Sequence, residues 1–155
     1  MFRDGTARLL VFRVGSEHFG LPLSAVDEVI EAPAIQPLPD ASATQLGLAT
    51  LRDEVITVYG AAQVLRARAD TLDSGQGGTL LLFQREARRV GLAVDDVHDA
   101  ITVAEDELRA IPGADASDRT LLGVVRRNAD LIAVLDVDAV LDLAMAVATD
   151  GGDRS

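Results

Sequence analysis

The chain carries one pattern twice. Laid over each other without gaps, Leu9–Ile30 and Leu80–Ile101 agree at 7 of 22 positions, including Phe12/Phe83, Gly20/Gly91, Leu21/Leu92 and Val26/Val97. Leu46–Leu65 and Leu122–Leu141 agree at 6 of 20, including Gly47/Gly123, Ile56/Ile132 and Val58/Val134. The two blocks recur in the same order, which points to a duplicated unit of hairpin, turn, loop, hairpin and helix. A unit this small buries a core poorly by itself, so the two copies must share an interface. The expectation is a single domain over residues 8–148, built from two pseudo-repeated β units at about 9–67 and 79–143, with a disordered tail at 149–155.

Local patterning fills in each copy. Apolar runs at 9–14, 18–23, 46–51, 54–59, 79–84, 89–94, 121–126 and 131–135 read as strands. Pro22 calls for an edge or bulge position. Arg52 and Asp53 form a two-residue turn between strands, and RNAD (126–130 region) closes another hairpin. Ser24 with Val26, Val29 and Ile30 at helical spacing predicts a short helical turn over 24–31. Residues 61–67 and 105–110 read the same way, and 95–103 as strand or turn. The three prolines of 33–41 impose an extended connection. The Gly-rich polar stretch 68–78 reads as a linker and 112–119 as a loop. Residues 136–148 make the strongest helix, capped by Asp136, with Val137, Val140, Leu141 and Ala144 as its apolar stripe.

Charge and composition exclude several classes of function. Asp plus Glu is 25 against 14 basic residues, a net charge of −11, and every basic residue is Arg. A nucleic-acid binder needs a basic face to neutralise phosphates, and an anionic membrane surface repels such a chain. Absence of Lys removes phosphate-loop and Schiff-base lysines. Absence of Cys removes disulfides, thiolate metal sites and a thiol nucleophile. No segment reads as a signal peptide or a spanning helix, so the expected location is cytoplasmic, without membrane insertion. At 3 % aromatic residues, the core must be aliphatic.

Chemistry-bearing clusters are few. Asp95, Asp96, His98 and Asp99 are the densest set of potential metal ligands. Strand alternation sends neighbours to opposite faces, so only Asp96 and His98 are expected to share one, and a solvated strand edge is the expected state; no metal or cofactor is assigned. His18, Ser24 and Asp27 include triad residue types but lack a nucleophile elbow, and His18 is placed on the outer face of its strand. GQGG at 75–78 precedes a strand, the wrong context for a phosphate loop. The pairs Arg88–Arg89 and Arg126–Arg127 sit at strand ends, suited to pairing with nearby acids or to marking contact points. No catalytic residue emerges, and the chain is expected not to be an enzyme.

Several pieces in order resemble a known family: LLVFRVGSEHFGLPLSAVDEVIE, LGLATLRDEVITVYGAAQVL, RRVGLAVDDVHDAI and LLGVVRRNADLIAVLDVDAVL. Over roughly residues 8–143 the chain resembles the CheW-like family of bacterial chemotaxis coupling proteins, to which the regulatory domain of the histidine kinase CheA is similar. The resemblance implies a mainly β fold of two side-by-side five-stranded β-barrel subdomains with short helices and a C-terminal helix. It also implies a non-enzymatic scaffold that couples the cytoplasmic tips of methyl-accepting chemoreceptors to a CheA-type histidine kinase. The positions matching the family's receptor groove are Leu23, Val26, Val29 and Val97; filling the inter-barrel core is the alternative role for these four. The hairpin positions facing the kinase's regulatory domain are Arg52 and Asp53. The family's usual Asn-Leu-Arg-Gly is Thr50, Leu51, Arg52, Asp53 here, and its Pro-Val-x-Asp-Leu is Thr57, Val58, Tyr59, Gly60, Ala61. These departures fall on the kinase-facing side and leave open a divergent adaptor of a non-flagellar chemosensory pathway.

Overall fold

A computed structural model describes residues 1–65, 78–111 and 120–153. The expected linker at 68–78, apart from Gly78, and the expected loop at 112–119 lie outside the described residues. The first copy contains β1 (Thr6–Val14), β2 (Glu17–Pro22), β3 (Glu28–Glu31), β4 (Gln45–Leu51), β5 (Glu54–Gly60) and α1 (Ala61–Leu65). The second contains β6 (Thr79–Arg85), β7 (Arg88–Val94), β8 (Asp96–Ala104), β9 (Leu121–Arg127), β10 (Asp130–Leu135) and α2 (Val137–Asp153).

The strands pair across the copies. One five-stranded sheet has the order β8-β1-β2-β10-β9 and the other β3-β6-β7-β5-β4. Replacing each first-copy strand by its second-copy counterpart turns one order into the other. Each sheet has a single parallel pairing, β2 with β10 or β7 with β5. The bounds 9–67 and 79–143 therefore do not coincide with the sheets, because each sheet takes strands from both copies. Neither half could pair its strands fully if it were cut out alone.

This exchange explains the unbroken apolar runs LLVF and LLLF. On β1, Leu9 points into the inner core of its own sheet with Val103, Val125 and Val134. Its neighbours Leu10, Phe12 and Val14 point into a core shared by both sheets. On β6, Leu80 and Leu82 fill the other inner core while Leu81 and Phe83 join the shared one. A strand buried on both faces has no polar side to show. Burial of each such side chain is worth about 1.5–3 kcal/mol.

α2 lies over the shared core through Val140, Leu141 and Ala144. The Asp136 carboxylate accepts from the Ala139 N–H at 3.2 Å, the expected cap. The helix continues to Asp153, beyond the expected end at 148 and through most of the stretch expected to be a disordered tail. It is tied to the other sheet by Arg85, which pairs with Asp138 and Asp142, and by the Thr44 hydroxyl donating to the Ala144 carbonyl at 3.1 Å.

Between 23 and 31 the structure departs from the helical reading. Leu23–Ala25 is a single 3-10 turn and Glu28–Glu31 is a strand against β6. The helical spacing of Val26, Val29 and Ile30 is incidental. Alternation along β3 sends Ile30 to the inner core and Val29 to the opposite face. Pro22 stands at the last position of β2, beyond the segment that pairs with β10, so its missing N–H costs no ladder bond on that side.

The duplicated glycines close each sheet in the same way. Both β4 and β9 carry a bulge, with Leu46 or Leu122 as the extra residue. Gly47 beside it has φ +149°, and a Cβ there would lie 2.2 Å from the Gln36 carbonyl oxygen. A Cβ on Gly123 would lie 2.7 Å from the Arg109 carbonyl oxygen. Each close approach lets a connecting segment lay a short bridge on the strand: Gln36 with Leu48, and Arg109 with Val124. Among the described residues the end strands of each sheet share no ladder, and these short bridges are what join the segment after β3 to β4 and the segment after β8 to β9. Gly47→Ala is expected to destabilise the fold by about 2 kcal/mol or more, because the obstacle is backbone and cannot rotate away. Gly123→Ala should cost less; denaturant melts of the two variants check the order.

Candidate functional site

The four residues matched to a receptor groove all face the side of the core shared by the two sheets. Val97 pairs with Phe12 across β8 and β1, and Val29 pairs with Leu81 across β3 and β6. Residues directly opposite in an antiparallel pair point to the same side. Phe12 and Leu81 belong to the shared core, so Val97 and Val29 face that side too. Leu23, in the 3-10 turn, and Val26 also pack against the shared core, half-buried like Val97. Val29 is 41 % exposed. Three of the side chains are thus anchored on the shared core and the fourth is presented to solvent.

The β4–β5 hairpin sits beyond the acidic start of β3. Arg52 (φ +49°) and Asp53 (φ +72°) both adopt the left-handed conformation, as a tight two-residue hairpin turn requires. Neither is the glycine that adopts it most easily. The Arg52 guanidinium donates to the Glu28 carboxylate at 2.7 Å. Two residues after Asp53, Val55 is 63 % exposed, so the hairpin presents an apolar side chain beside a charged turn.

Beside the hairpin lies a cluster that the sequence only hinted at. Arg89 on β7, with its side chain 14 % exposed, donates to Asp27 at 3.1 Å, Glu28 at 2.7 Å and Glu54 at 3.3 Å. The Arg88–Arg89 pair and the acids Asp27 and Glu28 were visible in the chain; that β3 and β7 flank β6 was not. Glu28 thus bridges two guanidiniums. Its carboxyl is held below the ordinary range, first by the Arg89 hydrogen bond and next by that from Arg52, against an opposing effect of burial. In the other sheet Arg127 plays a related part, pairing with Glu107 at 3.1 Å and donating to the Thr102 carbonyl. Glu107 is held low mainly by the Ala104 N–H, which donates to it at 2.8 Å.

The other constellations come apart. Asp27 is engaged by Arg89 and His18 by His98, so His18, Ser24 and Asp27 form no triad. Asp95 accepts from the Gly15 N–H at 2.6 Å and does not join Asp96 and His98, which stand 3.8 Å apart. Among the described residues no three His, Asp or Glu side chains are grouped as a metal site, and no helix is long and apolar enough to cross a membrane.

Both carboxyls held low release their protons more readily in the folded chain than in the unfolded one. Their stabilisation is complete above the ordinary carboxylate pKa and is lost as pH falls through the lowered values. Glu28→Gln is expected to be less stable than the parent at pH 7. Its stability should decline less steeply between about pH 5 and pH 3. Urea melts across that range check it: parallel profiles for variant and parent would refute the assignment. Asp53→Gly, which frees the turn of its left-handed Asp, is expected to raise stability by about 0.5–1 kcal/mol in the same assay.

With this geometry in place, comparisons place the chain among known proteins. The CheW-like domain family model matches residues 8–145. A chemotaxis protein CheW of Treponema pallidum (strain Nichols) is 27% identical over 142 residues, covering 86% of this chain and 81% of that protein. A chemotaxis protein CheW of Rhizobium meliloti (strain 1021) is 28% identical over 141 residues, with 88% of each covered. Among solved structures, the scaffolding protein TtCheW of Thermoanaerobacter tengcongensis superposes with a TM-score of 0.70 at 20% identity, covering 84% of this chain and 88% of that one. Two interlocked five-stranded sheets and a family match over nearly the whole length lead to one conclusion: the chain belongs to the CheW-like domain family.

Proposed function

We propose that the chain is a non-enzymatic cytoplasmic adaptor of chemotaxis signalling, coupling the cytoplasmic tip of a methyl-accepting chemoreceptor to the regulatory domain of a CheA-type histidine kinase. The observation that supports the reading is that Leu23, Val26 and Val97 are half-buried against the shared core while Val29, facing the same side of its sheet, is exposed. An apolar surface held on rigid sheets suits an amphipathic helix, which docks by a few aliphatic anchors. The receptor tip is the helical partner in this reading. The kinase domain is assigned to the β4–β5 hairpin, where Arg52 is 65 % exposed at its side chain and flanked by Val55. An exposed arginine beside an apolar residue is a common composition for an interface anchor. The family is one of chemotaxis scaffolds, and no cofactor enters the mechanism.

A second reading keeps the adaptor role but changes the output. Asp53 in a left-handed turn, together with Thr50 and Gly60, alters the surface assigned to the kinase. A divergent adaptor of a non-flagellar chemosensory pathway would show intact receptor binding with a changed kinase partner.

The test is two titrations of the purified chain, one with a receptor tip fragment and one with a kinase regulatory domain from the same organism. Val29→Asp puts a charge at the exposed position at little cost to folding. It is expected to weaken receptor binding about ten-fold or more while sparing the kinase. Val26→Asp, at a half-buried position, should abolish receptor binding. Arg52→Glu should have the opposite selectivity. Unchanged receptor affinity in both valine variants would overturn the groove, and binding to neither partner by the folded parent would overturn the adaptor role.

A further inference from the structure

The chain has 2 histidines, 80 residues apart, and the fold brings them together. His18 on β2 and His98 on β8 meet edge to face, ring centroids 5.2 Å apart and planes at 69°. They line the same cup of about 180 Å³, floored by Val11 and Ile132 and rimmed by Asp99 and Asp130. A β-bulge makes this possible. Leu10 pairs with Ala100 and Phe12 with Val97, so His98 and Asp99 stand together opposite the single residue Val11. Strict alternation would have sent them to opposite faces; a bulge re-aims the side chains it interrupts. In the other copy the Leu82 carbonyl accepts the Asp27 N–H at 2.8 Å while Leu82 pairs with Glu28, so Asp27 and Glu28 stand opposite one residue as His98 and Asp99 do, and the irregularity belongs to the shared architecture.

The duplication supplies an internal comparison. By the alignment of the two copies, His18 corresponds to Arg89 and His98 to Asp27. In the second sheet that pair is an ion pair at 3.1 Å. The fold therefore presses these two positions together in both sheets. Arginine and aspartate satisfy each other directly. Two imidazoles, each with a ring nitrogen able to act as a metal ligand, are joined most strongly by a shared cation.

We propose that His18 and His98 form a binding site for a borderline divalent transition-metal ion such as Zn2+, a clip that ties the edge strand β8 to β2 across β1. Two imidazoles bound to one tetrahedral ion with Zn–N of about 2.0–2.1 Å have ring centroids roughly 5 Å apart. The observed centroid separation of 5.2 Å matches that distance. Asp96, 3.8 Å from His98 Nε2, stands where a carboxylate can orient a ligating imidazole. The nearby cations are already engaged: Arg127 with Glu107, and Arg13 with the Gly15 carbonyl at 2.7 Å and Asp95 at 3.9 Å. Water completes the shell, and the affinity belongs to a two-imidazole site, far below that of a four-ligand structural zinc site. Because β8 also carries Val97, the clip would stiffen the strand that presents it.

Calorimetric titration of the full chain with Zn2+ alone tests this, alongside histidine-selective NMR and thermal melts with and without the ion. The expected result is one ion per chain, shifted resonances of both imidazoles, and a Tm raised by the ion. His18→Asn and His98→Asn should each weaken binding about ten-fold or more and abolish the Tm rise. Circular dichroism confirms that both variants fold. Equal Zn2+ affinity in parent and both variants, displacement by Ca2+ at similar concentration, or no binding up to about 1 mM would each overturn the proposal; Ca2+ displacement would assign the ion to carboxylates. Receptor and kinase titrations without metal are independent of these outcomes.

Discussion

The structure depends on burying β1 and β6 on both faces. Each strand sits next to an edge strand in its sheet, with one row of side chains in the inner core of that sheet and the other in the core common to both. Neither row can be solvated without exposing several leucines or a phenylalanine, at about 1.5–3 kcal/mol each. The two sheets are therefore halves of one cooperative object. The residues assigned to the receptor face that common core, whereas His18 and His98 stand on the other face of their sheet.

The exchange of strands follows from the same requirement. A copy that paired its own β1–β2 and β4–β5 hairpins would place both in one sheet and leave the second copy to do likewise. Instead β2 runs parallel to β10, and β7 to β5, so every sheet is completed by the other copy. Separation of the copies would break parallel ladders as well as apolar contacts. α2 then crosses the junction, capped by Asp136 after β10 and clasped by Arg85 and Thr44 from the opposite sheet.

Much of this was legible in the chain because strand patterning is local. The hairpins around Arg52–Asp53 and Asn128–Ala129, the cap at Asp136 and the strand runs all rest on neighbours within a few residues. The duplication was legible because shared geometry keeps the same residues, above all Gly47 and Gly123, where a side chain would strike backbone. What was not legible depends on pairing at long range. Val26, Val29 and Ile30 fit a helix by spacing, but β6 offered β3 a ladder, and the ladder decided. The identity of the four groove residues came from resemblance, and the alternative role of core filling is met in part: Leu23, Val26 and Val97 do pack on the core while remaining half-buried. Arg89 was one of a pair of basic residues with no partner in view until β3 and β7 were brought to either side of β6. The separation of His98 from Asp99 onto opposite faces followed from regular alternation, and a bulge set it aside.

A duplicated frame makes the differences between its halves informative. Where the two copies agree, the reason is geometric: the bulged strands, the bridging segments and the glycines that admit them recur at matched positions. Where they differ, geometry does not require it. The turn at Arg52–Asp53 has two left-handed residues and an ion pair to Glu28, while its counterpart has left-handed Asn128 followed by Ala129. Asp27 and Glu28 gather Arg89 and Arg52 into a charged cluster at the edge of one sheet, whereas the matched positions of β8 hold His98 and Asp99 beside His18. A symmetric body that carries an acidic, arginine-locked edge on one sheet and an imidazole-bearing edge on the other has two distinguishable faces. An adaptor that must hold two different partners at once needs that asymmetry, and here it is written only in the side chains that the shared fold leaves free.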